Sequence, residues 1–296
     1  MRSQESPERM SNKVRTRNPA ASGKADWSSL AGLFVAVGGI LGGLLLEGGR
    51  FTDLGQFTAA MIVLGGTAGA VMMTTPMPLL IAAVKKLPHV FWDSTASSGS
   101  TVEQILGFAA RARKNGLVSL EHEVESIPDP FLRKTLMLAV DGTDLQDLRR
   151  IMELELALAE RRGEAEAKVF EAAGGYAPTI GIIGAVLGLI QVMKHLEDIE
   201  AVGHGIAVAF VATVYGVALA NVFLLPTANK LKLRLQQALQ VRELILEGVI
   251  SIAEGLNPKL IRSKLEAFQQ HEAISSPNRQ NNKIGAVAKA RAAAVQ

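Results

Sequence analysis

The residues best placed to do chemistry lie in two stretches that contain no Asp, Glu, Lys or Arg, Ala172–Met193 and Gly205–Asn229. Thr179 and Thr213 bring hydroxyls into them, and Pro178 and Pro226 each remove a backbone N–H. A proline inside a helix frees a carbonyl one turn back, and at membrane depth such a break is tolerated only beside protein or a water-filled cavity. Threonine supplies polar contacts there, while Gly and Ala let helix backbones approach closely. Pro178, Gly181, Ala185 and Gly188 share one helical face, and Ala209, Thr213, Gly216 and Ala220 share another. The two faces read as a packed wall with a thin polar lining, suited to the passage of something small. The competing reading makes them helix contact surfaces and nothing more.

Other chemistry is missing. The chain has no phosphate-binding loop, no G-x-G-x-x-G, no H-E-x-x-H and no G-x-S-x-G. An enzyme driven by nucleotide hydrolysis is therefore not expected. With no cysteine, disulfides and thiolate metal sites are excluded. The five histidines (89, 122, 195, 204 and 271) never fall four residues apart, so a histidine-pair metal site has no support. No cofactor, no metal and no nucleic-acid partner are expected. No carboxylate lies within the apolar stretches either. An ion pathway ordinarily carries one, since a charge at the centre of a bilayer costs ~2.5–3.5 kcal/mol and is kept only for function. Ions crossing here need an acid supplied by a second protein.

The elements that must hold these residues are membrane helices. Four stretches reach the roughly 20 apolar residues that a bilayer demands: Trp27–Leu46, a window within Leu54–Val84, Ala172–Met193 and Gly205–Asn229. The first is too long for a secretory signal and lacks a small-residue cleavage site, so it reads as a retained anchor. If the N-terminus is cytoplasmic, the segments 1–26, 76–171 and 230–296 carry 29 of the 31 Lys and Arg, leaving only Arg50 and Lys194 in the outer loops. That bias, which holds close to the spans, places both termini inside.

The fold class that follows is an all-α integral membrane protein with four spans and a helical cytoplasmic insert. Residues 1–26 form a basic disordered tail and 27–75 a transmembrane hairpin. Residues 76–171 make the cytoplasmic domain, 172–229 the two spans of the wall, 230–258 a cytoplasmic helix and 259–296 a largely disordered tail. Gly38, Gly39, Gly42 and Gly43 in the first span, and Gly65, Gly66 and Gly69 in the second, favour close helix contact. In the insert, Thr101–Asn115 reads as an amphipathic helix stopped at Asn115-Gly116, and Ser119 caps a short acidic helix. A third helix, 131–140, stops at Asp141-Gly142, and Asp144 begins a long run that leads straight into span three. Span four continues past Pro226 until Pro258. Taken alone, Arg113 and Lys114 read as cations complementing a helix C-terminus, and Glu121 and Glu123 as acids near an N-terminus.

YAPTIGIIGAVLGLI and GIAVAFVATVYGVALANVFLLP resemble the last two spans of the MotA/PomA flagellar stator subunits, in the wider MotA/TolQ/ExbB channel superfamily. The insert ARKNGLVSLEHEVESIPDPFLRKTLMLAVDGTDLQDLRRIMELELALAE is similar to the stator's cytoplasmic domain. The resemblance covers about 27–255. It implies a ring of five chains in the bacterial inner membrane around a single-span MotB or PomB partner, whose Asp carries the ion. It also implies that Arg113, Lys114 and Glu121, with Glu123 beside them, meet the rotor protein FliG. Pro178 and Pro226 match the family's two functional prolines and Thr213 its pore threonine, with Tyr215 in the same matched stretch. Sodium-driven members generally have Thr where this chain has Ala185. Since sodium needs oxygen ligands, Ala185 favours protons. The expected function is a proton-conducting stator subunit. An ExbB/TolQ-type energiser of outer-membrane transport, which has three spans, and a non-conducting scaffold are the alternatives.

Overall fold

The computed structural model describes residues 24–93 and 98–275, so most of the tail expected at 1–26 and the last part of the tail expected at 259–296 lie outside the described residues. Helix α1 (Trp27–Leu46) starts at Asp26, whose carboxylate accepts from the Ser29 N–H and the Ser28 hydroxyl. A 3₁₀ turn over Phe51–Leu54 leads to α2 (Phe57–Ala60), a π-helical turn over Met61–Gly65 and α3 (Gly66–Thr74), which together make the second span. Thr75 is extended and Pro76 opens α4 (Met77–Lys86), so the span ends where a residue before proline must leave the α region. After α5 (Pro88–Phe91), β2 (Trp92–Asp93) pairs antiparallel with β1 (Lys24–Ala25).

Next come α6 (Ser98–Asn115), α7 (Glu121–Val124) and α8 (Pro130–Val140). Gly116 and Gly142 take φ values of +84° and +76°, the left-handed conformation that ends α6 and α8 at the expected dipeptides. Ser119 does not cap α7. It lies in a 3₁₀ turn over Leu117–Leu120 and its hydroxyl donates back to the Gly116 carbonyl at 2.6 Å. Asp144 caps α9, which then runs without a break over Leu145–Lys194, a length of about 75 Å at 1.5 Å per residue. Helix α10 (Ile199–Ala218), a π-helical turn over Leu219–Leu224 and α11 (Leu225–Ala253) form the second long rod.

Four helical rods are long and apolar enough to cross a membrane, within Trp27–Leu46, Phe57–Thr74, Leu145–Lys194 and Ile199–Ala253. The fold is thus all-α apart from the two-residue strand pair. Away from the apolar half of α9 and from α10, the polar half of α9 and α11 join α6, α7 and α8 around one core, with Ile105, Leu120, Leu132, Leu136, Leu148 and Val249 fully buried.

Two further expectations change. The tail from 259 onward begins as a helix, α12 (Pro258–Ser275), because Ile261 and Leu265, one turn apart, are fully buried in that same core. Around them, Arg262 pairs with Glu103 at 2.8 Å, and Lys264 bonds to Glu247, which also meets Arg149 at 3.1 Å. The glycines of span one are the other change. A side-chain carbon added at Gly38, Gly39, Gly42 or Gly43 would meet no atom within 4 Å, and α1 buries no residue within the single chain. In span two only Gly66 makes the expected close approach, 2.7 Å from Ile180.

Candidate functional site

The wall is built by α9 against α10, the most extensively packed helix pair in the molecule. Its seam is made of glycine and alanine. A side-chain carbon at Gly216 would lie 2.5 Å from the Ala177 carbonyl oxygen, one at Gly181 would lie 2.9 Å from the Ala212 carbonyl, and one at Gly188 would lie 2.7 Å from that of Gly205. Gly184 would strike the Ala212 side chain at 2.7 Å and Ile62 of span two at 3.4 Å. The backbones are in direct contact, which only residues without bulk permit.

This seam follows Ala177, Gly181, Gly184 and Gly188 on α9, all buried, rather than the face read from the sequence. Gly181 and Gly188 belong to both faces. Pro178 and Ala185 sit half-buried at the seam's border. On α10, Ala209, Ala212 and Gly216 are buried, whereas Thr213 is half-buried. The place of a Gly181 side-chain carbon is 3.5 Å from the Thr213 Cα, so Thr213 stands across from the turn between Pro178 and Ala185. Its hydroxyl donates to the Ala209 carbonyl at 3.3 Å, leaving oxygen lone pairs able to accept.

Sequence reasoning missed Gly174, Ala177, Gly184 and Ala212. The signal was present: Gly174, Ala177, Gly181, Gly184 and Gly188 form an unbroken small stripe at alternating steps of three and four.

The two prolines act differently. Helix α9 passes through Pro178 without interruption. By the i to i−4 rule, the carbonyl Pro178 deprives of a donor is that of Gly174, which packs against Leu224 and Leu225 at the start of α11. Pro226 is exposed and follows the π turn over Leu219–Leu224, where a wider turn accommodates the ring. Tyr215, two residues from Thr213 and therefore about 200° round the helix, is half-buried and hydrogen-bonds through its hydroxyl to the Leu54 carbonyl. It ties α10 to the loop before span two.

Where the apolar spans meet the polar domain, ion pairs cross between elements. Asp26 pairs with Lys230 at 2.5 Å and Arg234 at 2.9 Å, joining the start of α1 to α11. Burial alone would raise the Asp26 pKa, but the hydrogen bond and charge of Lys230, helped by Ser28, hold it well below its ordinary 3.8. Glu171 bonds to Lys232 at 2.6 Å, and the buried Glu166 faces Lys86 at 3.8 Å.

The charged surface read from the sequence lies at the far end of α6. Arg113 and Lys114 occupy its last turn, exposed, and Glu121 is exposed in the first turn of α7. None of the three makes an ion pair among the described residues. Glu123 is half-buried and pairs with Arg111 at 2.9 Å, while Arg111 also lies over the Phe108 ring. Among the described residues, no group of three or more His, Asp or Glu could hold a metal.

The geometry defines a class of protein, a multi-pass helical membrane protein whose tightest seam is glycine-lined and free of charge. Comparison with known proteins is specific. The MotA/TolQ/ExbB proton channel family model matches residues 123–244, and that of the motility protein A N-terminal region matches 30–115. Motility protein A of Bacillus subtilis is 38% identical over 245 residues, covering 81% of this chain and 89% of that protein. Among solved structures, C. jejuni MotAB matches with a TM-score of 0.79 and 33% identity, over 82% of this chain and 95% of that one. The flagellar MotAB stator complex from Bacillus subtilis matches with a TM-score of 0.76 and 36% identity, over 81% and 95%. The chain belongs to the MotA/TolQ/ExbB proton channel family.

Proposed function

We propose that the chain is a flagellar stator subunit that conducts protons together with a MotB-type single-span partner and converts their flow into torque. The observation that carries this reading is the α9–α10 seam: glycine on glycine, bordered by Thr213, Pro178 and Ala185, with no carboxylate anywhere in the two spans. The likeness to stator proteins along more than four-fifths of the chain supports it. The transport-energiser and scaffold readings are not favoured.

In this mechanism several copies, five by analogy with the family, surround the partner in the inner membrane, with both termini in the cytoplasm. The partner's Asp takes up a proton from outside and meets the wall beside Ala185 and Thr213. A charge crossing 100 mV releases ~2.3 kcal/mol, several times thermal energy, which is enough to bias a step between ring positions. Pro178 and Pro226 shape the helix segments that flank the seam, and Tyr215 positions α10. Arg113, Lys114 and Glu121 push on FliG, with Glu123 held by Arg111. The chain catalyses no covalent reaction. Ala185 leaves no side-chain oxygen at that point of the wall, which suits protons.

Reconstitution tests the reading. Liposomes holding this chain alone should pass almost no protons, and adding the partner should produce flux that its Asp→Asn variant abolishes. Substantial flux from the chain alone would overturn the idea that the acid comes from the partner.

A further inference from the structure

Helix α12 runs back along α11 and closes over the first half of α6. The reversal is fixed by Gly255, at a φ of +73°, and by Asn257, whose side-chain oxygen accepts from the Lys259 N–H at 3.1 Å. Beyond it, Leu265 reaches Gly248 on α11. A side-chain carbon added at Gly248 would lie 2.8 Å from Ile105 of α6 and 3.4 Å from Leu265, so three helices meet where α11 has no side chain. Ile105, Ile261 and Leu265 are all fully buried. Charged groups fasten the same helices from outside. Arg262 holds both oxygens of Glu103 on α6, at 2.8 and 3.2 Å. Lys264 bonds to the Glu247 carboxylate and, at 3.3 Å, to the hydroxyl of the fully buried Ser251, both on α11. Glu247 in turn meets Arg149 of α9 at 3.1 Å. One short helix is thus tied to α6 on one side and to a junction of both long rods on the other.

Exposed ion pairs contribute little by themselves, so the two buried side chains supply most of the hold. Glu103 and Ile105 stand in the first half of α6, and Arg113 lies about 12 Å beyond Ile105 on the same helix. Whatever fixes the first half therefore sets where the last turn points. We propose that α12 is a positioning strap, with Ile261 and Leu265 holding α6 against the two rods so that their movement is passed to the charged end of α6. The proposal rests on the stator reading above, and it gives a role to a segment that the ion pathway does not use.

The strap is tested from the α12 side, so that the rods and α6 keep their own residues. Leu265→Ala empties the contact with Ile105 and Gly248, and Leu265→Met restores its volume. Lys264→Met removes the bonds to Glu247 and Ser251 while keeping the apolar stem. Each variant is examined in the full complex with its partner for membrane level, proton flux, hydrogen exchange of the α6 amides and torque per stator in a tethered-bead assay. Leu265→Ala should leave membrane level and flux unchanged, speed α6 exchange at least about tenfold and lower the torque, with Leu265→Met close to wild type in both. Lys264→Met should shift exchange and torque in the same direction, and it decides if Leu265→Ala fails to accumulate. Wild-type α6 exchange would overturn the strap. Faster exchange with wild-type torque would also overturn it, leaving α12 as packing alone. So would a loss of flux that matches the loss of torque, because the effect would then lie in the wall. Arg113→Glu is the separate control for the stator reading: if that variant gives normal torque, the reading fails at the rotor, while the exchange result still decides whether α12 holds α6.

Discussion

Replacing Gly216 with alanine adds one methyl group where the structure has no room for it. The new carbon would lie 2.5 Å from the Ala177 carbonyl oxygen and 3.1 Å from the Gly181 Cα, both backbone atoms that no rotamer change can move. Ordinary contact begins near 3.4 Å, so α9 and α10 must part by almost an ångström. A gap of that size forfeits a quarter to a half of the dispersion attraction along the seam, and overpacking of this kind costs about 1–3 kcal/mol. Alanine also favours helix over glycine by about 1 kcal/mol, which partly masks the effect. Gly203→Ala supplies the reference, because it lies in the same α10 and its added carbon would meet nothing within 4 Å. Both variants share the propensity gain, so their difference isolates the seam. Purified complexes of each, melted in the same detergent, should differ by at least about 2 °C with Gly216→Ala lower, and Gly216→Ala should also conduct less. If the two melt together and conduct alike, backbone contact does not define the wall and the Thr213 side loses its structural basis.

The remaining predictions concern the ion, the lining and the base of the spans. With Ala at 185, swimming should persist in sodium-free medium and collapse with a protonophore; speed that tracks sodium instead would reverse the ion assignment. Thr213→Val keeps shape but removes the hydroxyl, so proton flux should fall while FliG binding survives; unchanged flux would make Thr213 a packing residue. Asp26 is held below its ordinary pKa of 3.8 when folded, so its pairing with Lys230 and Arg234 stabilises fully above that value and is lost as pH falls through the lowered one. Asp26→Asn should therefore melt below wild type at pH 7, with the gap flat down to about pH 5 and closing only in stronger acid. A gap that widened on acidification would refute the assigned sign.

The spans and the stops of the polar domain were legible because their causes are local. Lipid forces some twenty consecutive apolar residues into a helix, and Asn115-Gly116 and Asp141-Gly142 end α6 and α8 through a backbone conformation that glycine alone adopts freely. What stayed hidden depends on contacts between distant segments. Helix α12 looked like a polar tail because, among its described residues, Ile261 and Leu265 alone enter the core, Leu265 beside Gly248, where an added carbon would strike Ile105 at 2.8 Å. Nothing near residue 265 in the sequence announces that Ile105, more than a hundred residues away, lines the place that receives it. The register of the seam was hidden for a related reason. Helix α9 carries two overlapping small-residue faces, and the one that closes on α10 is chosen by where Ala212 and Gly216 arrive from the other rod. The displacement is a single residue, from 178 and 185 to 177 and 184, and it moves Pro178 and Ala185 out of the contact and onto its border. A residue locked in the seam could not meet a partner's carboxylate. On the proposed function a residue on the border can, and that carboxylate is the partner's.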